Sequence, residues 1–125
     1  MRGDSGATLS PWFASADTPS RPPLPGDTDT GVCVIGAGIA GLSTAYHLAR
    51  EGRAVVVIDD GPIGGGQTGR TTAHLSNAID DHYQEIARIH GQDGARLAAA
   101  SHTAAIDRIE RIARDERIDC DFERL

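Results

Sequence analysis

VCVIGAGIAGLSTAYHLAREGRAVVVIDD, residues 32–60, decides how this chain folds. VCVI (32–35) is a short apolar run opening directly into glycines, as a buried parallel strand does. IAGLSTAYHLARE (39–51) is rich in helix formers, and Gly52 suits a left-handed C-terminal cap. AVVVI (54–58) is a second apolar, β-branched strand closed by Asp59 and Asp60. Strand, helix and strand in this order predict a βαβ unit and an α/β fold of Rossmann-like type. Between the first strand and the helix, Gly36, Gly38 and Gly41 take the spacing of a dinucleotide loop. Gly36 permits the tight turn, Gly38 lets backbone approach a pyrophosphate, and Gly41 lets helix and strand pack closely. Phosphates would then meet the positive end of the helix. Asp59, eighteen residues past Gly41, is placed to accept hydrogen bonds from a ribose, with Asp60 as the competing assignment. An acid there disfavours a 2′-phosphate but does not separate NAD from FAD.

The next stretch does. GPIGGGQTGR (61–70) is a second glycine loop, which an NAD site of this architecture does not require. FAD continues past its diphosphate into a ribityl chain and a large ring. A backbone without side chains, then Thr68 for hydrogen bonds and Arg70 for diphosphate charge, suits that path. Two other readings stay beside this one: a fragment of an NAD-dependent dehydrogenase, and a non-catalytic nucleotide-binding module.

Outward from these loops the chain is less informative. Residues 1–30 hold five of the six prolines and predict an extended arm, pinned to a surface by Trp12 and Phe13. RTTAHLSNAI (70–79) reads as helical, and DHYQEIARIHG (81–91) as a short helix capped by Asp81 and stopped by Gly91. Asp93 opens a long helix to about Arg117, with Leu97, Ala98, Ala105, Ile106, Ile109, Ile112 and Ala113 at helical spacing. Charges of alternating sign over 107–124 predict an ion-paired, solvated face. IDCDFE (118–123) alternates as a half-buried strand, and the sequence then stops without a partner strand. The expected sheet is therefore incomplete, and the chain reads as the N-terminal part of a larger domain, cut short.

Composition narrows the chemistry further. All twelve basic residues are arginine, which excludes a phosphate lysine or Schiff-base lysine within these 125 residues. A net charge of −6 argues against nucleic acid or an anionic membrane surface as partner. Cys33 and Cys120 lie in apolar alternating stretches and are expected to be buried free thiols in a reducing compartment. No apolar run suggests a signal peptide or a membrane span, so the cytoplasm is the expected location. The five histidines never fall at metal-ligand spacing, and His47, His82, His90 and His102 are expected to face solvent or cap helices.

Residues 29–75 resemble the N-terminal FAD-binding segment of FAD-dependent oxidoreductases of the D-amino-acid oxidase and glycine oxidase type. GGGQTGRTTAHLSNAIDD (64–81) and AAIDRIERIARDERIDCDFERL (104–125) are most similar to a bacterial subgroup in which a C-terminal Rieske iron–sulfur domain follows the flavin domain. The resemblance runs from about residue 12 onward and divides the chain into the Pro-rich arm (1–30) and the start of the FAD-binding domain (31–125). It implies a cradle for the diphosphate at Gly36, Gly38, Ile39, Ala40 and Gly41, and a ribose contact at Asp59 and Asp60. It also implies that Gln67, Thr68, Gly69 and Arg70 follow the diphosphate and ribityl, and that Thr72, Ala73 and His74 approach the flavin ring. Many relatives have small residues where His74 stands. The implied activity is oxidation of an amine or amino-acid-like small molecule by hydride transfer to flavin. A [2Fe-2S] Rieske centre belongs only to a longer relative, and no catalytic residue is assigned within this chain.

Overall fold

The computed structural model describes residues 9–15, 17–80 and 82–125. They divide into two compact units, 1–72 and 73–125. In the first, a short helix α1 (Pro11–Ser15) precedes strand β1 (Val32–Ile35), helix α2 (Ile39–Arg50) and strand β2 (Val55–Ile58). The strands pair in parallel, with Val32 opposite Val55 and Ile35 opposite Ile58. The expected βαβ unit is thus present, and its sheet has two strands among the described residues.

Helix α2 ends as the sequence predicts. Gly52 takes φ 78°, the left-handed conformation, and Arg53 donates its N–H back to the Leu48 carbonyl at 3.0 Å. At the same end of the sheet Thr30 Oγ1 donates to the Ala54 carbonyl at 3.1 Å, fixing the point where the arm enters β1. Burial of β1 departs from expectation. Val32 and Val34 are half-buried, but Cys33 and Ile35 are exposed, Ile35 at 82%. Successive strand residues point to opposite faces, and only one face of this strand is covered among the described residues. Cys33 is therefore not a buried thiol, and neither is Cys120.

The second unit departs further. Residues 71–80 form no helix. Ser76 Oγ accepts the Ala78 N–H at 3.0 Å, a local side-chain bond that competes with helical pairing, and Ala73 takes φ 59°. Helix α3 (His82–Asp115) is broken at Gly91, whose φ 74° and ψ 171° separate the two expected helices. The Asp81 cap lies outside the described residues. Along α3, Leu97, Ala105 and Ile109 stand exposed, while Ala98, Ile106, Ile112 and Ala113 are half-buried. His82 and His90 face solvent, whereas His102 is half-buried, with Nδ1 unpartnered among the described residues.

The IDCDFE segment forms no strand. A strand needs a neighbour to bond with, and the described residues offer none here. Instead Asp121 takes φ 49°, and Arg124 folds back onto α3, bonding Glu110 at 2.5 Å and Asp107 at 2.8 Å. With Arg114 on Glu110 at 3.2 Å, this is the ion-paired face that the alternating charges predict.

Candidate functional site: two glycine loops tied together

The first loop is built by close approach. Gly36 takes φ 103°, which a side chain would strain, so the backbone turns sharply out of β1. A Cβ at Gly41 would stand 1.9 Å from the Gly36 carbonyl oxygen. No side chain fits between helix and turn, so Gly41 holds α2 directly against the end of β1.

The second loop comes to the first through hydrogen bonds. Gly64 donates its N–H to the Ala37 carbonyl at 2.9 Å. Thr68 Oγ1, on a single 3₁₀ turn (Thr68–Arg70), accepts the Ile39 N–H at 3.1 Å. Gly38 precedes α2 without a side-chain cap of its own, so a threonine twenty-nine residues beyond Ile39 supplies it. A Cβ at Gly38 would lie 2.9 Å from that same hydroxyl, so Gly38 makes room for this contact. Replacing Thr68 by valine removes the acceptor and keeps the shape. We expect a loss of about 1 kcal/mol in urea unfolding, with a frayed first turn of α2.

Asp59 ties the acid into the same assembly. Its Oδ2 accepts the Ala37 N–H at 2.6 Å and its Oδ1 accepts the Gly61 N–H at 2.7 Å. The Ala37 bond first, then the Gly61 bond, hold its carboxyl below the usual value. Asp59 therefore braces the first loop, a role that strand order and spacing do not announce. A carboxylate accepts at several lone-pair positions, so this acid can also take a bond from a ribose hydroxyl. Because the folded-state pKa is lowered, this contribution is present above pH 3.8 and is lost as pH falls through the folded value. Glu85, lowered by Arg88, adds to the same acid limb. The Asp59 share is thus the difference in pH-dependent unfolding between the parent and Asp59→Asn.

Two grooves follow from this framework. One, of about 400 Å³, is lined by Gly36, Gly38, Ile39, Ala40 and Gly41 with Gln67, Thr68 and Thr71. The other, of about 530 Å³, is lined by Asp59, Asp60 and Ala37, with Leu42, Val57 and Ile58 among its apolar lining. The sequence-predicted residues of both loops thus meet, except that Gly69 and Arg70 line neither groove. Gly69 is buried, and a Cβ there would lie 2.0 Å from Phe13 Cε2. Thr72 is an exposed residue ending the first unit, while Ala73 and His74 are exposed in the second. Thr71 and the arm residues at the second groove went unpredicted; the only sequence signal was an aromatic pair, Trp12 and Phe13, in a proline-rich arm.

The open grooves, the side-chain-poor turn and the helix N-terminus fit an extended dinucleotide. Among the described residues, no cluster of three His, Cys, Asp or Glu could hold a metal ion, and no helix is long and apolar enough to cross a membrane.

The profile described as FAD dependent oxidoreductase matches residues 31–125. YhfW of Bacillus subtilis, which carries the name Rieske 2Fe-2S iron-sulfur protein, is 40% identical over 111 residues, covering 89% of this chain and 22% of that protein. Gamma-glutamylputrescine oxidoreductase of Escherichia coli is 36% identical over 91 residues, 73% of this chain and 21% of that protein. D-amino acid dehydrogenase 2 of Pseudomonas aeruginosa is 51% identical over 37 residues, 30% of this chain and 9% of that protein. The chain spans about a fifth of the length of the first two of these relatives. No solved structure matches it. A βαβ unit with two linked glycine loops, matched over residues 31–125 by that profile, belongs to the FAD-dependent oxidoreductase family.

Proposed function

We propose that this chain is the dinucleotide-holding part of a flavin-dependent enzyme that oxidises an amine or an amino-acid-like substrate. One observation carries the reading. The bonds Gly64 to Ala37, Ile39 to Thr68 and Ala37 to Asp59 join two loops and an acid into one continuous track. In NAD the diphosphate leads to a ribose and a small nicotinamide ring and does not require the second loop; in FAD it leads to a ribityl chain and a large flavin ring, which that loop suits.

In this reading Gly36, Gly38, Ile39, Ala40 and Gly41 hold the diphosphate through backbone N–H groups at the start of α2. Gln67 and Thr68 border its continuation toward the ribityl, with Arg70 as a nearby cation. Asp59 and Asp60 take the adenosine side. The family resemblance further assigns Thr72, Ala73 and His74 to the neighbourhood of the ring. FAD, if bound here, would supply a hydride acceptor for the substrate carbon, and the chain's own residues would position it through backbone N–H groups. The amine class is supported by the names of two relatives, gamma-glutamylputrescine oxidoreductase and D-amino acid dehydrogenase 2. The free thiols suit a reducing compartment such as the cytoplasm. Any [2Fe-2S] centre would lie outside these residues.

The test is anaerobic mixing of the flavin-loaded protein, at its natural length, with D-amino acids and polyamines in turn. Bleaching of the flavin by at least one of these classes is the expected result. Flavin that stays oxidised with all of them, yet is reduced by a 2-hydroxy acid, would overturn the amine assignment.

A further inference from the structure

We infer that the proline-rich arm is part of the cofactor site: residues 18–24 form the outer wall of an adenine cleft. This rests on the dinucleotide reading above and adds a binding element to it.

The arm is tethered at both ends of the sheet. At one end Trp12 Nε1 donates to the Thr71 carbonyl at 2.8 Å, and the Phe13 ring sits against Gly69. At the other end Thr30 Oγ1 bonds the Ala54 carbonyl, just before β2. Between these tethers residues 18–24 line the groove that contains Asp59. Pro19, Pro22, Pro23 and Leu24 line that groove together with Asp59 and Ile63.

The cleft chemistry matches adenosine. Leu42, Val57 and Ile58 offer an apolar lining for a flat base, and Asp59 in the same lining offers an acceptor for ribose hydroxyls. Proline rings fix φ and remove backbone donors, so the wall is stiff before the ligand arrives and loses little conformational freedom on binding. The second glycine loop also acquires a role here. Gly69 has no side chain because Phe13 occupies that space, so the loop that borders the diphosphate is also the dock for the arm.

The experiment compares FAD with FMN, which lacks the adenosine. Dissociation constants are measured for the parent, for a variant lacking residues 1–26, and for Pro22→Gly/Pro23→Gly, which leaves Trp12 and Phe13 in place. FAD affinity should fall roughly tenfold or more in both variants, with FMN affinity unchanged, as expected when a preordered wall for the adenosine alone is removed. Should the truncation fail to fold by circular dichroism, the proline variant decides. Unchanged FAD affinity overturns the inference, and so does tighter binding, which would make the arm a competing cover. Equal weakening of FAD and FMN also overturns it, by showing that the arm supports the loops and not the adenine. A parent that binds neither flavin overturns the dinucleotide reading and this inference together; a parent that binds FAD while the variants match it overturns this inference alone.

Discussion

Gly41→Ala is expected to abolish FAD binding and to lower unfolding free energy by roughly 3 kcal/mol, the upper end of what an overpacked position costs. The added methyl would stand 1.9 Å from the Gly36 carbonyl oxygen and 3.3 Å from Val34 Cγ1. The first obstacle is backbone, not a flexible side-chain end, so relief requires α2 to move off the strand. That movement separates Ile39 from Thr68 and breaks the link between the loops. Urea unfolding measures the stability, and flavin fluorescence titration measures the binding. A variant that binds like the parent would show that helix–strand contact at Gly41 is dispensable.

Asp59→Asn has the second largest effect, and it falls on binding more than on folding. The amide keeps one acceptor oxygen but presents an NH₂ group to one of two backbone donors, Ala37 or Gly61. A donor facing a donor pushes the loop open at Ala37, whose carbonyl also receives the Gly64 N–H. Ribose hydroxyls lose a charged acceptor at the same time, and charge-assisted bonds are roughly twice as strong as neutral ones. FAD affinity should drop at least tenfold, an order of magnitude consistent with losing one hydrogen bond to a charged group. Asp60→Asn, at the neighbouring position, should change it far less. Reversal of that order in matched titrations would move the ribose contact to Asp60.

Those two positions also show how far sequence reading reaches. The strand VCVI, the helix start at Ile39, the cap at Gly52 and the parallel pairing were all legible, because each is dictated locally by apolar runs, glycine geometry or β-branching. The family, too, was legible in the two loops. The brace role of Asp59 was not, since strand order places an acid at the end of β2 without saying which donors turn toward it. Nor was the Thr68 cap, which joins residues far apart in sequence. The strand expected at 118–123 failed for a different reason. Alternation of Ile118, Cys120 and Phe122 records compatibility with a sheet, but pairing needs a neighbour, and ion pairs from Arg124 to α3 took the segment instead. The helix expected at 70–79 was overruled by the Ser76 hydroxyl and by Ala73 in the left-handed region.

The most direct measurement is a competitive titration of the purified protein with FAD and with NAD. If two glycine loops and one brace form a single track, FAD binds with quenching of its fluorescence, NAD does not displace it, and Gly41→Ala removes the binding. NAD binding in preference, or equal binding of the two, would mean that the second loop takes no part in holding the cofactor, and the account of this site would be wrong.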